Sequence, residues 1–133
     1  MTGTDAISNA WKFLGLELVE AGDGKSVVEM TTGEQLTNRQ GTVHGGFIAT
    51  LCDSAMARAI TTRLAPGTRA FSFDLKVNFI NLARPGDRLR ASGRVIHAGR
   101  RTAVAECRVE GPGRRLVATS TASFSISPEG DER

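Results

Sequence analysis

Long apolar runs are missing from this sequence of 133 residues, of which 40% are hydrophobic and 23% are charged. A membrane-spanning helix needs about 18 or more consecutive apolar residues, and no stretch approaches that length. The composition is that of an ordinary globular protein rather than of a disordered chain. Because the chain is too short for two cores of useful depth, we expect a single domain over residues 1–133, with residues 127–133 as a flexible tail.

Cysteine is scarce, since the chain has only Cys52 and Cys107 and neither belongs to a C-x-x-C pair. Two such residues cannot form the disulfide framework of a small secreted protein. The N-terminal segment also lacks the basic and then apolar pattern of a signal peptide. We therefore expect free thiols and a cytoplasmic location. A zinc site that combined these cysteines with His44 and His97 would need irregular spacing, so we predict no metal.

Aromatic residues are few, with six Phe, one Trp and no Tyr, which gives little support to a nucleic-acid stacking surface. Charge is unevenly distributed: the net charge is +3, but residues 84–126 hold nine arginines against three acidic residues. Such an excess indicates an anionic partner, namely nucleic acid, a membrane surface or a phosphorylated small molecule. The alternative is that these arginines form the solvated face of strands.

One long helix is predicted over residues 45–64, where apolar residues recur at helical spacing without a proline. Up to Ile60 the segment carries only two charges, at Asp53 and Arg58. A helix that is apolar nearly all round is typical of one enclosed by other structure. The pair Pro66-Gly67 marks its end.

The remaining segments alternate with a period of two, which predicts strands separated by turns. Phe71, Phe73 and Phe79 alternate like core residues. We interpret the first two strands as a hairpin and the last four as an antiparallel meander, which gives an α+β domain whose curved sheet wraps the helix. Exposed edge strands favour a homodimer. The predicted strands are residues 14–18, 26–30, 71–79, 89–95, 102–110 and 116–126.

Asp53 is the first candidate for chemistry, because it interrupts the most apolar helix of the chain. Aspartate is a weak helix former and its charge is costly to bury. Perturbed carboxylates of this kind are enriched at active sites. The alternatives are an ion pair with Arg58 or a strand arginine, or an exposed position on the rim of the helix.

The second candidate is the start of the same helix, His44-Gly45-Gly46. Backbone N–H groups at a helix N-terminus bind anions or polarised carbonyl oxygens, and glycines leave them unshielded. The alternative is that the glycines only permit a tight turn. Asn38, followed by Gly41, is either a turn residue or an amide that positions a water or a carbonyl.

The two candidates lie far apart along one helix. Gly45 and Asp53 are eight residues apart, which is about 12 Å along a helix axis. Both groups would have to lie within about 3.5 Å of a reacting carbonyl. One helix cannot supply both, whereas two helices running antiparallel across a dimer axis can.

The run from Asn38 to Gly46 (NRQGTVHGG), continued by Leu51-Cys52-Asp53, resembles the signature of hotdog-fold acyl-CoA thioesterases of the phenylacetate-pathway (PaaI-like) type, which include the thioesterase superfamily member 2 group. The strand pattern over residues 70–126 and the turn at residues 83–87 also fit. The resemblance implies a hotdog fold, hydrolysis of an aryl, medium or long acyl-CoA, and no cofactor besides the coenzyme A of the substrate. It also implies a homodimer that forms the active sites, assembled further into a homotetramer, with neither nucleic acid nor membrane as partner.

The resemblance further implies roles for individual residues. Asp53 is a general base or a nucleophile, and the Gly45 amide polarises the thioester carbonyl. Asn38 and His44 hold the loop and the leaving-group side, and Ser72 is a hydroxyl that orients water or substrate. Residues at positions that contact coenzyme A in the family are Gly46, Asp74, Phe79, Arg84, His97, Gly99, Arg100, Arg101 and Thr102.

The charge distribution agrees with this resemblance, since Arg84, Arg100 and Arg101 are suited to bind the nucleotide phosphates. Two other functions stay open. A hotdog dehydratase or hydratase predicts a start of the helix rich in proline and glycine, whereas no proline is present here. A non-catalytic acyl-CoA-binding dimer would bind the same thioesters without releasing a thiol.

Overall fold

A 17-residue helix lies on a six-stranded antiparallel sheet in the computed structural model, which describes residues 7–128. The strands follow the order β1-β2-β4-β5-β6-β3 across the sheet. No helix within the described residues is both long and apolar enough to cross a membrane. The elements are α1 (Asn9–Leu14), β1 (Glu17–Gly22), β2 (Lys25–Thr31), α2 (Gly45–Thr61), β3 (Thr68–Phe79), β4 (Arg88–Ala98), β5 (Thr102–Glu110) and β6 (Leu116–Pro128), with short 3-10 turns at Glu34–Leu36 and Pro112–Arg114.

The core lies between α2 and the sheet, as the apolar helix predicted. The helix buries Leu51, Cys52, Ala55 and Met56 completely. The inner faces of the strands present mostly small side chains to the helix, which lets the helix axis approach the sheet closely. These small inner-face residues are Ala91, Gly93, Ala103, Ala105 and Ala122.

The predicted helix end is three residues too late, because α2 ends at Thr61 rather than at residue 64. The Thr62 hydroxyl group donates a hydrogen bond to the Ala59 carbonyl at 2.7 Å and accepts one from the Gly24 N–H at 2.7 Å. Gly24 belongs to the turn between β1 and β2 and has a φ of 76°. The C-terminus of α2 is therefore tied to that turn.

The predicted hairpin is confirmed, but its first strand begins later than expected. Leu14 closes the short helix α1, and β1 begins only at Glu17. Ser8 caps α1 by accepting a hydrogen bond from the Trp11 N–H, and Gly15 ends it in the left-handed region with a φ of 69°. These two caps produce a helical turn where the alternation of leucines had indicated a strand.

The predicted four-strand meander is wrong in one pairing. Strands β4, β5 and β6 form a meander, but β3 pairs with β6 rather than with β4. Residues 80–87 therefore cross from one side of the sheet to the other. Strand β6 also extends to Pro128, so that residues 127 and 128, predicted to belong to a flexible tail, are paired with Arg69 and Thr68. Residues 129–133 lie outside the described residues.

Strand β3 contains a β-bulge that breaks the predicted alternation. Its register with β6 shifts between Ser72 and Asp74, so Phe73 is the extra residue. Phe71, Phe73 and Phe79 are exposed in the single chain, Phe73 to 59%, and the prediction that they are core residues is wrong for one chain. Ser72 pairs with the buried Phe124 and faces α2. Bulges commonly redirect a side chain next to an active site.

Candidate active site

The Asp53 carboxyl group lies on α2 and is only partly accessible to solvent. Its Oδ1 atom is buried and has no hydrogen-bond partner among residues 7–128. Burial raises the pKa of Asp53, and a hydrogen bond with the Ser72 side chain acts in the opposite direction. Asp53 forms no ion pair within the described residues, which removes the alternative of a structural pair with an arginine. The β-bulge thus places the Ser72 hydroxyl beside a poorly solvated carboxyl group.

The N-terminus of α2 has one N–H group that is not used. The His44 Nδ1 atom accepts a hydrogen bond from the Gly46 N–H at 2.9 Å, and the His44 carbonyl accepts one from the Phe47 N–H at 3.0 Å. No acceptor within residues 7–128 meets the Gly45 N–H. Of the two glycines, Gly45 is therefore the one that can donate to a substrate oxygen.

Gly45 lies in close contact with the side chain of Phe79. Neither Gly45 nor Gly46 has a positive φ, so the backbone conformation at the turn into α2 does not require glycine at either position. A Cβ atom at position 45 would lie 3.1 Å from Cζ of Phe79. The exposed Phe79 ring therefore packs against the helix start, beside the free N–H group.

The side chain of Asn38 holds the loop that precedes α2. Its Oδ1 atom accepts hydrogen bonds from the N–H groups of Gln40 at 3.0 Å and Thr42 at 3.1 Å, and its Nδ2 donates to Thr42 Oγ1 at 2.9 Å. Gly41 completes the turn with a φ of 81°. The interpretation of Asn38 as a turn residue is confirmed. Asn38 and His44 also line an open depression of about 610 Å³ at this end of the helix.

Asp53 and Gly45 are not brought together within one chain. Both lie on the uninterrupted helix α2, eight residues apart, which corresponds to about 12 Å. Each chain therefore carries two separate groups of candidate residues. The first consists of the loop and helix start at residues 38–46, and the second consists of Asp53 and Ser72.

The candidate phosphate-binding arginines lie at opposite ends of the sheet. Arg84 belongs to the turn before β4, next to Ala83, whose carbonyl accepts a hydrogen bond from the N–H of Val43 near the helix start. Arg100 and Arg101 lie in the turn after β4. Strand β4 has 11 residues and spans roughly 35 Å. One chain cannot direct all three arginines at one ligand.

Five of the nine arginines in residues 84–126 form ion pairs with glutamates on the face of the sheet opposite α2, as the solvated-strand alternative predicted. By contrast, no carboxylate within residues 7–128 forms an ion pair with Arg84, Arg100 or Arg101. The paired arginines are Arg88, Arg90, Arg94, Arg108 and Arg114.

The other residues that the resemblance assigned to coenzyme A are dispersed. The N–H of Gly46 is already bound to His44. Asp74 pairs with Ser123 beyond the bulge and is exposed on the sheet face opposite Ser72. His97, Gly99 and Thr102 belong to the β4–β5 hairpin with Arg100 and Arg101, and the His97 ring covers Gly99, 3.1 Å from the position of a Cβ.

The two cysteines are buried and free, as predicted. Contact with the Cys52 thiol and burial raise the pKa of the Cys107 thiol. Both side chains are buried, so neither is an exposed nucleophile. Within residues 7–128 no three His, Cys, Asp or Glu side chains cluster as a metal site requires. Thr42, which is buried and holds both polar atoms of Asn38, was not predicted, since a threonine in a loop carries no distinctive signal.

Comparison with known proteins places this arrangement in a family. A family model described as the thioesterase superfamily matches residues 40–118. Acyl-coenzyme A thioesterase 13 of Mus musculus is 38% identical over 90 residues, which cover 66% of this chain and 62% of the mouse protein. Acyl-coenzyme A thioesterase PaaI of Escherichia coli is 30% identical over 107 residues, which cover 80% of this chain and 74% of that protein.

The fold is shared with solved structures. Conserved protein PA5202 from Pseudomonas aeruginosa matches with a TM-score of 0.86 and 33% identity, over 91% of this chain and 95% of the other. The match to residues 40–118 includes Gly45, Asp53 and Ser72 but begins two residues after Asn38. The chain belongs to the thioesterase superfamily and has the hotdog fold of its PaaI-like members.

Proposed function

We propose that this thioester hydrolase cleaves acyl-CoA to a free acid and coenzyme A, at two equivalent sites formed between two copies of the chain. The observation that carries the proposal is the buried, unpartnered Oδ1 of Asp53 beside the Ser72 side chain. Two relatives are named as acyl-coenzyme A thioesterases, which supports coenzyme A thioesters as the substrate class.

Asp53 acts on water or directly on the thioester. As a general base, its carboxylate takes a proton from a water molecule whose oxygen attacks the carbonyl carbon, and Ser72 orients the water. As a nucleophile, the carboxylate attacks the carbonyl carbon itself and forms an anhydride that water then hydrolyses. In both routes the C–S bond breaks, the thiolate of coenzyme A leaves with the bonding electrons, and it takes up a proton.

Gly45 stabilises the charge that develops on the carbonyl oxygen. Its N–H group has no partner among the described residues and lies at the positive end of a 17-residue helix. Donors of this kind stabilise the oxyanion more strongly than the ground-state carbonyl oxygen. The Phe79 ring beside Gly45 restricts where that oxygen can lie.

Two chains are needed because Gly45 and Asp53 lie about 12 Å apart on one helix. Strand β3 lies at the edge of the sheet and exposes Phe73, Leu75 and Phe79. A long apolar edge is a template for pairing with another strand. Pairing of β3 with its copy across a two-fold axis runs the two α2 helices antiparallel and brings Gly45 of one chain toward Asp53 of the other.

The same symmetry explains the separated arginines. Arg84 lies near the Gly45 end of the chain, whereas Arg100 and Arg101 lie at the other end of β4. In the proposed dimer, Arg84 of one chain approaches Arg100 and Arg101 of its partner, and the three bind the phosphates of coenzyme A. The homotetramer and the cytoplasmic location stay predictions.

The geometry disfavours the dehydratase alternative, which needs a histidine and an acid at one acyl chain. The Nδ1 atom of His44 is used as the helix cap, and His97 lies in the β4–β5 hairpin. The acyl-CoA-binding sensor remains an outcome of the test below.

The proposal is tested by incubating the protein with a panel of aryl and fatty acyl-CoAs and a thiol-trapping dye. We expect thiol release by the natural chain and a loss of about 100-fold or more in kcat for Asp53→Asn. Binding of the thioesters without thiol release would instead identify a sensor and contradict the proposal.

The Gly45 N–H is tested by a matched pair of variants. Gly45→Pro removes the N–H, and proline fits the first position of a helix after the extended backbone of His44. Gly45→Ala keeps the N–H and adds a Cβ of similar bulk near Phe79. We expect kcat to fall about tenfold further for Gly45→Pro than for Gly45→Ala. Equal kcat values would exclude Gly45 as the oxyanion donor.

A further inference from the structure

A buried hydroxyl group joins the sheet to the middle of α2. Ser26 of β2 is 2% exposed and donates a hydrogen bond of 2.6 Å to the backbone carbonyl of Ala55. Ala55 follows Asp53 by two residues on the same helix. A buried bond of this kind holds the helix backbone, and not only a side chain, at a fixed place on the sheet.

Gly93 of β4 pairs with Ser26 and meets the same carbonyl. A Cβ atom at position 93 would lie 2.6 Å from the carbonyl oxygen of Ala55 and 3.0 Å from Oγ of Ser26. Gly93 does not have a positive φ, so the backbone conformation does not require glycine. The close approach of α2 requires it.

A strand interior is an unfavourable place for glycine, which weakens the strand. The neighbouring inner-face positions Ala91 and Ala105 are fully buried and carry a Cβ. A buried position on this face of the sheet therefore accepts alanine, so burial alone does not explain glycine at position 93. The glycine stands opposite the Ala55 carbonyl, where a Cβ atom would lie 2.6 Å from the carbonyl oxygen.

We infer that Ser26 and Gly93 are positioning residues that set the distance between α2 and the sheet, and thereby the placement of Asp53 relative to Ser72. The inference rests on the proposed function, because it assigns the two residues a role in the reaction of Asp53. The helix moves as a unit, so a displacement at Ala55 is passed to Asp53 within one turn. A misplacement of about 1 Å costs on the order of 100-fold in rate.

The test compares Gly93→Ala with Gly22→Ala. Both add one methyl group to a strand, but the Cβ at position 22 meets nothing within 4 Å. At position 93 the contact requires about 0.5 Å or more of additional room. We expect Gly93→Ala to lower kcat about tenfold with KM changed less than about twofold, since the arginines assigned to coenzyme A lie elsewhere.

A pH profile separates a positioning role from a loss of stability. Retreat of α2 changes both the burial of Asp53 and its contact with Ser72, so the acidic limb of kcat/KM is expected to move in Gly93→Ala and to stay in place in Gly22→Ala. Melting temperatures are recorded for both variants, and the kinetics are measured where both are folded. A folded Gly93→Ala variant with the kcat and pH profile of Gly22→Ala would overturn the inference.

Ser26→Ala provides a second variant that removes an atom instead of adding one. We expect about a threefold loss in kcat, an unchanged KM and a shift of the acidic limb in the same direction. If Gly93→Ala does not fold, this variant alone decides: natural values of kcat and pH profile refute the inference. Asp53→Asn is assayed in parallel. If Asp53→Asn keeps its activity, the proposed function is rejected. If Asp53→Asn loses its activity while Gly93→Ala and Ser26→Ala behave like the natural chain, only this inference is rejected.

Discussion

A carboxylate oxygen that is buried without a hydrogen-bond donor is unfavourable for folding, and Oδ1 of Asp53 is such an atom within the described residues. The contact with Ser72 stabilises the carboxylate and lowers the pKa of Asp53, but burial has the larger influence and raises that pKa. A group held in this state takes up protons more readily than an exposed carboxylate. The same environment that destabilises the fold makes Asp53 a stronger base.

The stability of Asp53→Asn is predicted to depend on pH. A group whose pKa is raised in the folded state stabilises the fold most when it is protonated, and this contribution is lost as the pH rises through the folded-state pKa. We therefore expect the variant to be more stable than the natural chain by about 1 kcal/mol at neutral pH. The gain should shrink as the pH falls through the raised pKa and vanish below the ordinary value of 3.8.

Chemical denaturation at several pH values measures this difference, with Asp23→Asn as the control. Asp23 is exposed in a turn with a φ of 51°, which asparagine adopts readily. If the free energy of unfolding of Asp53→Asn equals that of the natural chain at every pH, the folded environment does not disfavour the carboxylate.

Ser72→Ala is predicted to shift the pH dependence of hydrolysis. The hydrogen bond with Ser72 lowers the pKa of Asp53, so its removal raises that pKa and moves the acidic limb of kcat/KM to higher pH. Ser123→Ala on the opposite face of the sheet serves as control, because Ser123 pairs with Asp74 beyond the bulge. Coincident limbs in all three proteins would contradict the assigned contact.

At the scale of elements, periodicity predicted α2 and the meander of β4 to β6, where the register shifts at Val95/His97 and Val109/Glu110 lie near the strand ends. It failed where a local irregularity or a distant partner decides the structure. The extra residue Phe73 reverses the faces of β3 around Ser72, and the pairing of β3 with β6 joins segments about 50 residues apart. Neither a bulge nor a non-local pairing leaves a mark in the spacing of apolar residues.

Charge patterning was informative only in part, for a related reason. The sequence shows nine arginines in one segment, but glutamates of β2 and β5 lie across from five of them in the folded sheet. Exposed ion pairs of this kind contribute little stability. They do engage these five arginines, so that Arg84, Arg100 and Arg101 in the turns remain as candidates for binding an anion.

Strand β3 is predicted to carry the contact between copies. Leu75→Lys places a charge in its exposed apolar edge, which opposes strand pairing. We expect this variant to be monomeric by sedimentation or light scattering, to stay folded, and to lose at least about tenfold in kcat because each site is then incomplete. Leu18→Lys is the matched control, since Leu18 lies on the other edge strand β1 and both leucines are 40% exposed.

The oligomeric states of Leu75→Lys and Leu18→Lys show which edge strand forms the contact between copies. Monomers produced by Leu18→Lys and not by Leu75→Lys would assign the contact to β1. A monomeric Leu75→Lys variant with full hydrolytic rate would mean that one chain suffices.

At the scale of the whole molecule, the proposed site divides into groups that one chain positions and groups that only two chains would bring together. The loop held by Asn38 and the free N–H of Gly45 are local to residues 38–46, which is why a short motif could indicate them. In the proposed dimer the approach of Gly45 to Asp53 depends on symmetry, which the sequence indicates only because the two residues lie about 12 Å apart along α2. The structure of one chain keeps these groups apart and leaves β3 open at the edge of the sheet.

Mixing of two inactive variants tests this division directly. In a chain with Gly45→Pro, Asp53 is intact, and in a chain with Asp53→Asn, the Gly45 N–H is intact. A mixed dimer then has one site with both changes and one site with neither. Random association makes half of the dimers mixed, so we expect about one quarter of the natural activity to return.

The two variants are co-expressed with different affinity tags, and the doubly tagged dimer is purified and assayed. It should show about half of the natural rate per dimer, because one of its two sites is intact. If Gly45 and Asp53 served the same site from within one chain, every site of the mixed dimer would carry one of the changes. The mixed dimer would then be no more active than its parents, and the shared site would be refuted.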